Sequence, residues 1–174
     1  YIMFLIPLLL VVPLSIKANE KLQLKITSNI EVSVKPTTLV KGEQFNSLLK
    51  TLSNNQDYSA YNKDEKIKYF KRTEEKPDES LTTKIISEED AQYEVIAWFD
   101  GVDTIYWYSE ATRIYTNEDC SYMFNNFYQA EEFILKNLDY SKTINMSYMF
   151  NYFGYTSQKL LLDFSDINAK SVQS

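Results

Sequence analysis

"CSYMFNNF", residues 120–127, returns almost letter for letter as "MSYMFNYF", residues 146–153, and the fold turns on how this phrase is wound. A shift of 26 carries Cys120, Met123, Phe124 and Phe127 onto Met146, Met149, Phe150 and Phe153. Each quartet is spaced i, i+3, i+4, i+7, which predicts one buried stripe on a helix of about two turns. Asn117 and Thr143 stand where N-caps belong. Downstream of each phrase an apolar run of strand type follows, Phe133 to Leu135 and then Leu160 to Leu162, now 27 apart. The order helical turn, loop, strand, loop predicts a stacking unit, since one unit cannot cover its own apolar stripe and a neighbour does so. Cys120, Met123, Phe124, Phe127, Phe133, Leu135, Met146, Met149, Phe150, Phe153, Leu160 and Leu162 are therefore the expected repeat core. Within it Cys120 fills the position of Met146, so it reads as a small buried hydrophobe rather than a nucleophile.

The rest of the chain supplies the context for that unit. With 174 residues, 44% hydrophobic and 15% aromatic, there is apolar material for one or two small folded units. Fourteen tyrosines and ten phenylalanines against three glycines and four prolines favour half-buried β surfaces. The opening "YIMFLIPLLLVVPLSIKANE" has no charge from Tyr1 to Ile16, is short for a bilayer span, and is interrupted by Pro7 and Pro13. It reads as a secretion signal over residues 1–18, N-terminally incomplete because it opens on Tyr1, with cleavage after Ala18. No membrane insertion of the mature chain is expected. Residues 19–72 are expected to form a small N-terminal region with strands in "KLQLKITSNIEVSVKP" and one amphipathic helix, whose stripe is Phe45, Leu48, Leu49 and Leu52. Residues 73–83 read as a charged linker, 84–116 as a β-hairpin capping region, and 117–174 as about two repeats, C-terminally truncated. In the hairpin, strands Tyr93–Phe99 and Thr104–Tyr108 flank Asp100 and Gly101, residues that tolerate a tight turn. The expected fold class is α+β: an N-terminal helix and β-hairpin region leading into a short solenoid with one strand and one short helix per repeat.

Charge and rare residues exclude several functions. The formal net charge is -6, and becomes about -7 if Lys17 leaves with the signal, which argues against nucleic acid and against anionic lipid. There is no histidine, so the usual zinc sites, the Ser-His-Asp triad and the Cys-His dyad cannot be assembled. A single cysteine forms no internal disulfide. No catalytic residue, metal ligand set or cofactor is expected, and the chain is not read as an enzyme.

The stretch "DTIYWYSEATRIYTNEDCSYMF" followed by "NLDYSKTINMSYMF" resembles the BspA-like leucine-rich repeat surface proteins of low-GC bacteria, whose repeats run roughly as "LxxLDLSxFDTSxVxxMSxMF". Leu138 and Asp139 match the "FD" step, Ser141 the serine, and Met146, Ser147, Met149 and Phe150 the "MSxMF" signature. The resemblance extends over most of the chain from about Phe45 onward, and the second unit departs from it with extra residues in "LLLDFSDINAKSV". It implies a leucine-rich-repeat solenoid, export, display at the bacterial surface, and adhesion to a protein or glycan ligand on host or matrix. An alternative is a carbohydrate-binding module in which Trp98, Tyr106, Trp107 and Tyr108 offer an aromatic platform to sugar rings. Consecutive strand residues face opposite ways, so about half of these aromatics can share that platform.

Overall fold

A computed structural model describes residues 33–165. The expected signal and the strands expected before Ser33 lie outside the described residues. In chain order the elements are β1 (Pro36–Thr38), α1 (Gly42–Asn54), β2 (Tyr69–Arg72), β3 (Thr83–Ile85), β4 (Ile96–Phe99), β5 (Thr104–Tyr108), β6 (Arg113–Tyr115), β7 (Glu132–Ile134), β8 (Leu138–Asp139) and β9 (Leu161–Asp163). Among the described residues two sheets result: a six-stranded sheet of order β3-β4-β5-β2-β7-β9 and a three-stranded sheet of order β1-β6-β8. The larger sheet is mixed, antiparallel through β3-β4-β5 and parallel through β5-β2-β7-β9. The smaller is parallel throughout.

This overturns the expected fold class. Among the described residues α1 is the one α-helix, the larger sheet is mixed and the smaller parallel, and neither copy of the repeated phrase is helical, so the chain does not build a solenoid of strand plus short helix. The physical reason lies in the backbone of the phrase. Tyr122, Asn126, Tyr148 and Tyr152 have φ of 59, 60, 57 and 51°, a left-handed residue at every fourth position of each copy. The N–H groups then alternate in their use. Those of Cys120, Tyr122, Phe124 and Asn126 donate to Asn145, Ser147, Met149 and Asn151 O of the second copy at 2.8, 3.1, 2.8 and 2.8 Å. Those of Met123 and Asn125 close local turns onto Cys120 and Tyr122 O at 3.2 and 3.0 Å. An α-helix would have sent every N–H four residues back along its own chain. A path that repeats every fourth residue also points i, i+3, i+4 and i+7 inward, which is why the spacing imitates a helix.

Helix α1 forms where the period predicted it. Phe45, Leu49 and Leu52 are buried, with Leu48 packed at the margin. It opens on Gly42, where a Cβ would run into the Cys120–Ser121 peptide. It stops at Asn55, whose φ of 55° is left-handed and whose N–H closes onto Thr51 O at 2.9 Å. Two polar residues on its buried side fasten it to the first copy of the phrase. Asn46 Nδ2 donates to Tyr122 and Asn125 O at 2.8 and 2.9 Å. Lys50 Nζ donates to Ala60, Asn62 and Asn125 O at 2.9, 2.7 and 2.9 Å. Burial lowers the Lys50 pKa to about 7 against the opposing pull of Asp64.

Phe124 sits at the centre of the core. Its ring lies 5.7 Å from Phe45, 5.5 Å from Phe133 and 5.4 Å from Phe150, the last stacked at 19°. Each such burial stabilises the fold by roughly 1.5–3 kcal/mol. The hairpin turns as expected: Asp100 Oδ1 accepts from Val102, Asp103 and Thr104 N–H at 2.8, 3.0 and 3.0 Å, and Gly101 has φ 85°. Its first strand begins at Ile96, leaving Tyr93 outside. β2 precedes the charged connector yet lies between β5 and β7, so both sides of the connector share one sheet.

Candidate binding surface

While the inward positions of the phrase build the core, its left-handed positions set tyrosines outward. Tyr122 stacks on Tyr148 with centroids 5.2 Å apart and planes 8° from parallel, and the edge of Tyr61 closes the near end of that column at 5.1 Å. A second column runs from Tyr128 to Tyr152, 5.6 Å and 13°, with Tyr155 against both at 5.6 and 5.5 Å. Lys63 Nζ stands 4.5 Å from the Tyr128 ring and pairs with Glu65. Tyr148 is 62% and Tyr155 68% exposed, so these rings face solvent. Asparagines brace the columns: Asn151 Nδ2 donates to Asn125 Oδ1 at 2.9 Å, and Asn126 Nδ2 to Tyr61 O at 2.8 Å. Tyr61 donates to Glu43 Oε2 at 3.2 Å; partial desolvation and that bond raise its phenol above the ordinary range.

This face is polar without being strongly charged. Ser147, Asn151 and Thr156 are exposed beside the rings. Tyr122 is covered on its two sides by Tyr61 and Tyr148, whereas Tyr148, 62% exposed, turns only one face to its neighbour. Exposed tyrosine rings can pack against a protein surface while their phenols bond to it.

The residues expected in the repeat core fall into two groups. Cys120, Met123, Phe124, Phe127, Phe133, Leu135, Met149 and Phe153 are buried. Met146, Phe150 and Leu162 are packed at the margin, and Leu160 is 46% exposed. The strands after the phrases sit one residue off the expected runs, with Leu135 just past β7 and Leu160 just before β9. The Cys120 thiol reaches Asn117 O at 3.2 Å, and burial raises its pKa, which suits an inert side chain.

The expected aromatic platform divides. Trp107 is fully buried, stacked on Phe70 at 5.9 Å. Trp98 and Tyr106 are cross-strand partners stacked at 6.0 Å and 29°, on the same outer face as Tyr108. Trp98 is only 8% exposed. A shallow recess of about 480 Å³ lies between this pair and the connector at Thr73–Asp78 and Leu81. Among the described residues no group of three or more His, Cys, Asp or Glu could hold a metal ion, and no helix is long and apolar enough to cross a membrane.

Sequence reasoning passed over Tyr61, Tyr128 and Tyr155 entirely. The signal for the columns was present in the third letter of the repeated phrase, Tyr122 and Tyr148, and in Tyr152. Asn46 and Lys50 left no such signal, since the carbonyls that tie them to the first copy of the phrase lie 75 to 79 residues away.

No protein-family model, curated protein or solved structure matches this chain. The likeness to BspA-like surface proteins therefore rests on the quoted motifs alone.

Proposed function

We propose that this chain is a secreted or cell-surface binding protein that adheres to a host or matrix protein through the tyrosine face. One observation carries the reading: a phrase that repeats for packing also repeats an outward tyrosine, giving stacked columns braced by asparagine. Tyrosine, serine and asparagine together form an adaptable binding surface with few rotamers to immobilise. Export is supported by the uncharged opening segment, and surface display by the BspA-like motifs. The role is binding and not catalysis. The test is capture on a panel of immobilised matrix proteins, with Tyr148→Ala and Tyr152→Ala as the deciding variants. Capture that survives both substitutions would remove the tyrosine face from the proposal.

A second reading is a carbohydrate-binding module. Its support is the recess beside Trp98 and Tyr106, roofed by the connector. It stands behind the first because the Trp98 ring is already covered. A glycan array answers it: binding abolished by Tyr106→Ala and untouched by Tyr148→Ala would favour the sugar.

A further inference from the structure

The chemistry of the tyrosine face narrows the kind of protein it fits, and this inference rests on the reading just given. Tyr122, Tyr128, Tyr148, Tyr152 and Tyr155 hydroxyls have no hydrogen-bond acceptor among the described residues. Their neighbours Ser147, Asn151 and Thr156 add further polar groups at the surface. Of the charges close by, Lys63 pairs with Glu65 and stands over the Tyr128 ring, while Glu43 accepts from the Tyr61 hydroxyl and keeps its charge. The chain carries -6 overall, whereas Lys63, Glu65 and Glu43 beside the patch sum to -1. Such a surface offers donors and flat apolar edges without a field to steer an ionic partner. Its complement is a segment rich in carbonyl acceptors, poor in N–H donors and uncharged.

We propose that the tyrosine face docks a proline-rich segment of the partner protein in the polyproline II conformation. In that conformation the backbone makes no internal hydrogen bonds, so its carbonyls stand free to accept from the phenols. Proline supplies no backbone N–H that would compete, and its ring packs on aromatic side chains. The segment is extended before it binds, which keeps the ordering cost low.

The experiment uses the full chain, titrated with decaproline and, in parallel, with a decapeptide in which alternate prolines are alanine. Binding is followed by calorimetry and by shifts of the tyrosine ring resonances. Saturable binding of decaproline is expected, weakened about tenfold or more by Tyr148→Ala and Tyr152→Ala. Tyr148→Phe keeps the ring and removes the donor, and is expected to weaken binding several-fold. Val102→Ser, on the exposed hairpin turn, serves as the control and should leave binding unchanged. Equal binding of the alanine-containing peptide, or full binding by Tyr148→Phe, overturns the inference. If decaproline fails while matrix proteins are still captured in a manner that depends on Tyr148, the proline-rich partner is wrong and the tyrosine face stands. If neither is bound, both are wrong.

Discussion

The two copies of the phrase share their letters and differ in their surroundings. In the first, Cys120, Met123, Phe124 and Phe127 are all within 1% of complete burial, because α1 lies on one side and the second copy on the other. In the second, Met149 and Phe153 are buried while Met146 and Phe150 sit at the margin. Equivalent residues thus contribute unequally, and what separates them is the number of neighbours that cover each.

Truncation at the two equivalent phenylalanines exposes this difference most directly. Phe124→Ala is expected to destabilise the protein by about 3–5 kcal/mol, measured by denaturant unfolding. Phe150→Ala should cost about half as much, since its site is already partly open. Equal losses at the two positions would break the comparison.

Lys50 tests the other side of the first copy. Lys50→Met leaves the Ala60, Asn62 and Asn125 carbonyls short of a donor and is expected to cost about 1–3 kcal/mol. Its pH dependence sharpens the point. The folded lysine titrates near 7, whereas an unfolded lysine keeps its proton to about 10.4. Between those values the unfolded chain holds the extra proton, so stability rises as pH climbs above 7 and is lost again as pH falls back through it. Cys120 and Tyr140 oppose this at higher pH. Burial raises both, the unfolded thiol and phenol ionise first, and stability then falls. Midpoints of denaturation measured from pH 6 to pH 10 should show the early rise in the wild type and not in Lys50→Met.

The smallest effect belongs to the surface. Tyr148→Ala should change stability by no more than about 0.5 kcal/mol, because the ring faces solvent. A large loss would make the tyrosine column a structural brace and weaken the binding proposal.

Local chemistry was legible in the chain. Asp100 and Gly101 marked a turn, and the Phe45–Leu52 stripe marked a helix, because each signal is written within a few residues. The winding of the repeated phrase was not legible. A helix and a four-residue turn path bury the same spacing, and only the lateral hydrogen bonds between copies distinguish them. The platform was half legible: strand alternation foretold that some of its aromatics would turn inward, and Trp107 does. The tyrosine face went unread since attention to apolar positions treats an outward residue as neutral. The anchoring of α1 depends on carbonyls far along the chain, which no local pattern announces.

The positive φ at Tyr148 and Tyr152 has a bearing on what these rings are for. A side chain in that region strains the backbone by roughly 1–2 kcal/mol, a penalty that glycine escapes. Asparagine, the milder occupant, holds the matching place at Asn126. Bulky phenols thus occupy corners where the smallest residue would sit most comfortably, and a scaffold built for economy alone would have left those corners bare.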